Sequence, residues 1–202
     1  MIDDTAIERE LRAAAATAAE HPLPDLGEAA ATAGLLDVAY ATLDSPLGTL
    51  LLARTDRGLV RLAYVDFEGE DEVVAELASR ISPRVLISPR RLDEVRRELD
   101  QYFTGSRHEF DVPIDWRLTH GFGRRVLRAT ARIPYGAVSS YKRVAEAAGS
   151  PRGFRAAGNA LGANPIPIVV PCHRVLHSGG GLGGYTGGLE RKQLLLDVER
   201  GS

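Results

Sequence analysis

The sequence predicts an α+β fold built from two regions, and three observations carry that reading. Aliphatic and β-branched runs recur at strand spacing from Val38. Helical periodicity takes over at Glu70, and beyond Pro113 the chain turns to short helices divided by Gly and Pro. The 202 residues suffice for two small domains with real cores, and 44% hydrophobic with 26% charged residues is ordinary for a globular chain. No apolar run approaches the ~20 residues that a membrane span needs. The start, Met1-Ile2-Asp3-Asp4, is acidic where a secretory signal is basic, so the expectation is a soluble, cytoplasmic protein with no membrane partner.

Residues 1–37 are an Ala-rich extension. A helix is expected over 3–20, with Pro22 and Pro24 beyond its end, and a second over 25–33, closed by Gly34. Strands follow at 38–43, 49–54 and 59–65. The breaks between them, Asp44-Ser45-Pro46-Leu47-Gly48 and Asp56-Arg57-Gly58, are short enough for an antiparallel meander. Helices are expected over 70–81 and 90–102, the second with Leu92, Val95, Leu99 and Tyr102 on one face. Residues 38–116 thus form a supporting domain without a catalytic constellation.

After the linker at Pro113, residues 117–202 form the second domain. A helix over 122–133 would expose Arg124, Arg125, Arg128 and Arg132, and Pro134-Tyr135-Gly136 ends it. Ser140 precedes a helix over 141–148 stopped by Gly149. Ser150-Pro151 reads as N-cap and first-turn proline of a helix over 152–161. Gly153, Ala156, Ala157, Gly158 and Ala160 make that last helix thin, which suits close approach of its backbone to a partner. Two short helices about a tight turn form a helix-turn-helix pattern.

Charge divides at the same boundary. Residues 1–116 carry 12 Lys and Arg against 23 Asp and Glu, a net −11, and residues 117–202 carry 13 against 4, a net +9. The basic half could meet a polyanion, or the two halves could attract each other.

Chemistry points to the chain's single cysteine, Cys172, which excludes an internal disulfide and any multi-cysteine zinc site. An apolar segment, Ile166-Pro167-Ile168-Val169-Val170, ends at Pro171 and presents Cys172 beside His173 and Arg174. A thiolate nucleophile needs a base or a cation nearby. In an extended chain adjacent side chains diverge, so a Cys172–His173 proton transfer would run through a water. Glu199 is the candidate to orient the histidine.

Pro171-Cys172-His173-Arg174, preceded by Asn164-Pro165-Ile166-Pro167 and followed by Gly183-Gly184-Tyr185-Thr186-Gly187-Gly188, resembles the active-site signature of the O6-alkylguanine-DNA alkyltransferases, the methylated-DNA–protein-cysteine S-methyltransferases. Ile133-Pro134-Tyr135-Gly136, Ser140-Tyr141 and Arg155-Ala156-Ala157-Gly158 fit the same pattern, which runs from about Phe122 to Glu199.

The resemblance implies a ribonuclease-H-like antiparallel sheet with helices at the N-terminus. It implies a mostly helical DNA-binding domain, with a winged helix-turn-helix-like motif, at the C-terminus. The protein would bind double-stranded DNA from the minor groove as a monomer, flip out O6-alkylguanine and move the alkyl group irreversibly to Cys172, once per molecule.

Residue by residue, the resemblance gives His173 and Glu199 the activation of Cys172, Tyr141 a proton or hydrogen bond to guanine N3, and Asn164 the bracing of the turn. Val175 (through its backbone), Tyr185 and Thr186 would line the base pocket. Arg155 would fill the space left in the duplex, and Ala156, Gly158 and Arg174 would contact DNA. Thr186 stands where many relatives have Ser, an added methyl that bears on pocket width. No cofactor and no metal are implied. Two other readings start from the same residues: a cysteine hydrolase using Cys172, His173 and Glu199, and a DNA-binding module without transfer.

Overall fold

A computed structural model describes residues 26–201, so the helix expected over 3–20 lies outside the described residues. Helix α1 (Leu26–Thr32) leads into strands β1 (Val38–Ser45), β2 (Gly48–Thr55) and β3 (Gly58–Tyr64), the expected antiparallel meander. Two short helices, α2 (Val65–Glu68) and α3 (Glu70–Arg80), follow. Strand β4 (Val85–Ile87) then pairs parallel with β1, so the sheet order is β3-β2-β1-β4 and its edge departs from the all-antiparallel expectation. Three residues are too few to announce a strand by periodicity, and the pairing partner, β1, supplies the order.

Helix α4 (Asp93–Phe103) turns the expected face inward: Leu92, Val95, Leu99 and Tyr102 are all buried against the sheet. The linker then runs back along β3. Leu59 N–H donates to the Pro113 carbonyl at 2.8 Å, and Asp115 N–H donates to the Leu59 carbonyl at 2.8 Å. Gly58, at φ 133°, lies so close to this strand that a Cβ would stand 2.1 Å from the Pro113 oxygen.

The second region comprises α5 (Gly121–Thr130), β5 (Ser139–Ser140), α6 (Tyr141–Ala147), α7 (Phe154–Gly162), β6 (Val175–Leu176) and α8 (Leu189–Arg200). Helix α5 stops three residues earlier than expected. Ile133 precedes Pro134 and is biased away from helical geometry, so Arg132 and Ile133 bond instead to the carbonyls of Ala129 and Thr130. Arg124 is also corrected: it folds back to the carbonyls of Trp116 and Thr119 rather than facing solvent. Helix α7 opens at Phe154, not at Arg152. Ser150 does not cap it; the Ser150 carbonyl accepts from Gly153 N–H at 2.8 Å and closes a separate turn.

Strand β5, just before α6, pairs parallel with β6, just after the cysteine, and so ties the helix-turn-helix to the chemical segment. One apolar core runs through both regions, from Leu50, Leu62 and Tyr64 to Val126, Ile168 and Leu195. No helix among the described residues is long and apolar enough to cross a membrane.

Candidate active site

The segment before Cys172 was expected to be extended; it is a series of tight turns. Ile168 sits at φ 72°, a left-handed conformation that β-branched residues rarely adopt, and around it Val169 N–H donates to the Pro167 carbonyl at 2.9 Å. Cys172 N–H then donates to the Val170 carbonyl at 2.8 Å across Pro171. Cys172–Arg174 form a single 3-10 turn. Asn164 holds these turns together. Its Oδ1 accepts from Ile166 N–H at 3.1 Å, and its Nδ2 donates to the Val170 carbonyl at 2.8 Å and to the Cys172 Sγ at 3.2 Å. Full burial of Ile168 is what outweighs the local backbone cost.

His173 is fully buried, with Nε2 2.7 Å from Glu199 Oε1. Glu199 also accepts from the Tyr102 hydroxyl at 2.7 Å, from Gly136 N–H at 3.1 Å and from the Arg174 guanidinium at 2.9 Å. Burial would raise this carboxyl, but His173 and Arg174 outweigh it and hold it at about 2. A carboxylate at Nε2 fixes the proton there and leaves Nδ1 as the basic nitrogen. Nδ1 is buried and has no hydrogen-bond partner among the described residues. Burial also pushes the His173 pKa below the usual histidine range, so the ring is neutral near pH 7 and able to take a proton.

Cys172 lies at the inner end of a cavity of about 800 Å3 whose wall includes Tyr141, Phe154, Arg155, Gly158, His177, Tyr185 and Thr186. Burial raises the thiol pKa, and the Asn164 amide and the Lys192 ammonium work against that rise. Lys192 was not foreseen. It is fully buried in α8 and donates to the Val175 carbonyl at 2.7 Å, to the Leu182 carbonyl and to the Gly184 carbonyl at 3.4 Å, a grip on the loop that forms one cavity wall. Desolvation brings its pKa down to about 8. The signal that could have found it is spacing: Lys192, Leu195, Leu196 and Glu199 stand at i, i+3, i+4 and i+7, the buried stripe of α8. Tyr102 was placed only on the apolar face of its helix, yet its hydroxyl completes the Glu199 network.

The loop after β6 is set by close approaches. Gly183, at φ 68°, lies where a Cβ would be 2.5 Å from the Tyr141 hydroxyl, and a Cβ on Gly187 would be 2.6 Å from the Tyr64 ring. The Tyr185 and Tyr64 hydroxyls meet at 2.8 Å, joining the cavity wall to the end of β3. The Thr186 hydroxyl donates to the Gly162 carbonyl at 2.7 Å and so ties the same loop to α7. Burial raises the Tyr141 pKa, keeping the phenol protonated, with the Gly184 backbone hydrogen-bonded at its oxygen.

One expected position is corrected. Arg174 is 5% exposed and turned inward onto Glu199 and the Ile133 carbonyl, away from the surface where a DNA contact was expected. Val175 is fully buried, its carbonyl accepts from Lys192, and the backbone role expected of it does not depend on side-chain exposure; His177 and Ser178 stand at the cavity wall. Arg155 and Ala156 are exposed on α7, and Gly158 lies half-buried against the Tyr141 ring.

Comparison with known proteins gives this geometry its relatives. The 6-O-methylguanine DNA methyltransferase ribonuclease-like domain matches residues 38–116, and the DNA binding domain of the same family matches residues 121–201. A methylated-DNA–protein-cysteine methyltransferase of Mycolicibacterium paratuberculosis is 44% identical over 163 residues, 81% of this chain and 93% of the relative. The constitutive enzyme of that name from Bacillus subtilis is 37% identical over 80% of this chain and 94% of its own. The crystal structure of Mycobacterium tuberculosis OGT in complex with DNA superposes with a TM-score of 0.68 at 38% identity, over 80% of this chain and 92% of that one. With both halves matched in order, and with relatives this similar along nearly their whole length, the chain belongs to the 6-O-methylguanine DNA methyltransferase family.

Proposed function

We propose that this protein repairs DNA by direct reversal: it flips O6-alkylguanine out of the duplex and takes the alkyl group irreversibly onto Cys172. The observation that carries the reading is the arrangement at the cavity's end. A lone thiol lies there, backed by a neutral histidine whose Nε2 is fixed on a carboxylate and whose Nδ1 has no partner among the described residues. Through one bridging water, Nδ1 of His173 takes the thiol proton, and Lys192 supports the thiolate electrostatically.

The thiolate attacks the alkyl carbon in line. The C–S bond forms as the C–O6 bond breaks, and the electron pair goes to the guanine. The Tyr141 phenol supplies a proton or hydrogen bond at N3, which relieves the developing charge. Tyr185 and Thr186 hold the base. A thioether remains, and because it is a poor leaving group toward water, each molecule acts once.

On the DNA side, the helix-turn-helix lies in the minor groove, which the thin outer face of α7 at Ala156 and Gly158 suits. Arg155 occupies the space that the flipped nucleotide leaves, and the protein acts as a monomer. Lys142, exposed at the cavity wall, and exposed Arg143 and Arg152 of the same helix-turn-helix supply phosphate contacts.

The test is stoichiometry. With O6-methylguanine oligonucleotide in tenfold excess, one methyl group leaves the DNA per protein molecule and the reaction stops. Continued turnover would favour a hydrolase using the same three residues, and DNA binding without demethylation would favour a recognition module.

A further inference from the structure

The outward face of α7 is made mostly of small residues, and one side chain there is large and apolar. Phe154, the first residue of the helix, is 47% exposed. A single exposed aromatic is unremarkable by itself. Its setting is specific. It stands on the rim of the Cys172 cavity with Arg155 and Lys142, and among the described residues no carboxylate lines that cavity. The Arg155 guanidinium lies 5.8 Å over its ring, so two planar groups stand together at the mouth. The turn beneath is tight: a Cβ on Gly153 would be 2.6 Å from the Ser150 hydroxyl oxygen, and the Ser150 carbonyl accepts from Gly153 N–H at 2.8 Å. Lys142 and Arg155 are both exposed at the cavity wall, which makes the surroundings of the ring cationic.

We propose that Phe154 is a second stacking side chain which, next to Arg155, covers the base faces laid bare when the damaged nucleotide leaves the duplex. The inference rests on the DNA-repair reading above. A nucleotide leaving the stack exposes apolar base surface above, below and on its orphaned partner, and apolar wedges are how minor-groove proteins cover such surface. Aromatic stacking accepts every base, which suits a protein that must act in any sequence context. Arg155 alone offers a plane that stays hydrated, whereas the Phe154 ring gains by leaving water.

The experiment compares single-turnover transfer from O6-methylguanine as free base with transfer from the same lesion in a duplex oligonucleotide, for wild type, Phe154→Ala and Phe154→Trp. The ratio of the duplex rate to the free-base rate falls about tenfold in Phe154→Ala and stays within about twofold of wild type in Phe154→Trp. An unchanged ratio in Phe154→Ala overturns the proposal, whether the two rates stay level or fall together, since a common fall marks the ring as a wall of the cavity. Wild-type protein that accepts the methyl group from neither substrate overturns the repair reading and this inference with it. Transfer from the free base with a flat ratio overturns this inference alone.

Discussion

Glu199 accepts hydrogen bonds from four neighbours: His173, Arg174, Tyr102 and Gly136. An amide in its place would turn an NH2 group toward some of those donors. Glu199→Gln is therefore expected to lower the transfer rate by about 100-fold and to lower Tm at pH 7. The pH dependence has a definite sign. The carboxyl is held at about 2, below its ordinary 4.5, so its stabilisation is complete above pH 4.5 and is lost as pH falls toward 2. The Tm difference between wild type and Glu199→Gln should shrink across that range, and a constant difference would contradict the network. Lys192 gives a second test. Lys192→Met removes a cation that favours the thiolate, and the thiol pKa, followed by thiolate absorbance, should rise by about one unit. The motif made Cys172, His173 and Asn164 legible from the sequence. Lys192 was overlooked and Arg174 was expected at a DNA surface for one physical reason: charge normally means exposure. Both are buried because carbonyls and the Glu199 carboxylate receive them from elsewhere in the chain, and that reception is invisible in local sequence.

Among the elements, the helices with strong periodicity were legible because their own residues carry the pattern, as with Val95, Leu99 and Tyr102 on α4 and Leu92 in the 3-10 turn just before it. Strand β4 was not, since β1 supplies its order, and the turns before Cys172 were not, since Asn164 and full burial hold Ile168 at its positive φ. The loop after β6 invites a test at this scale. Gly183→Ala adds a Cβ where the backbone is left-handed and the Tyr141 hydroxyl is 2.5 Å away. Transfer should slow about tenfold while Tm moves by only a few degrees, because the strain falls on an already partly exposed loop. A large Tm loss with normal transfer in the surviving fraction would place that loop in the stability of the fold and not in the site.

Considered as one body, the molecule joins an acidic half to a basic half through apolar core and a few polar links. Tyr64 reaches Tyr185, Leu62 N–H donates to the Pro165 carbonyl at 2.9 Å, and Arg191 donates to the Leu47 carbonyl at 2.7 Å while pairing with Asp66. Residues of the first half thus contact the segment before Cys172 and the loop beyond it, and Tyr102 reaches Glu199. Composition marked the division but not this joining, because the links are single residues scattered through otherwise ordinary strands. The charge split predicts how DNA binding responds to salt. With four exposed cations on the helix-turn-helix, Lys142, Arg143, Arg152 and Arg155, log K should fall with log salt at a slope of roughly −4. A flat response would mean that the basic half is spent on the acidic one.

The central claim is that Cys172 receives the alkyl group, and intact-protein mass spectrometry with peptide mapping tests it most directly. After incubation with O6-methylguanine duplex, the protein should gain about 14 Da, the exchange of a thiol proton for methyl, on the peptide holding Cys172 and in no Cys172→Ser sample. An unchanged mass while the lesion is bound, or the same gain on another residue, would contradict the account.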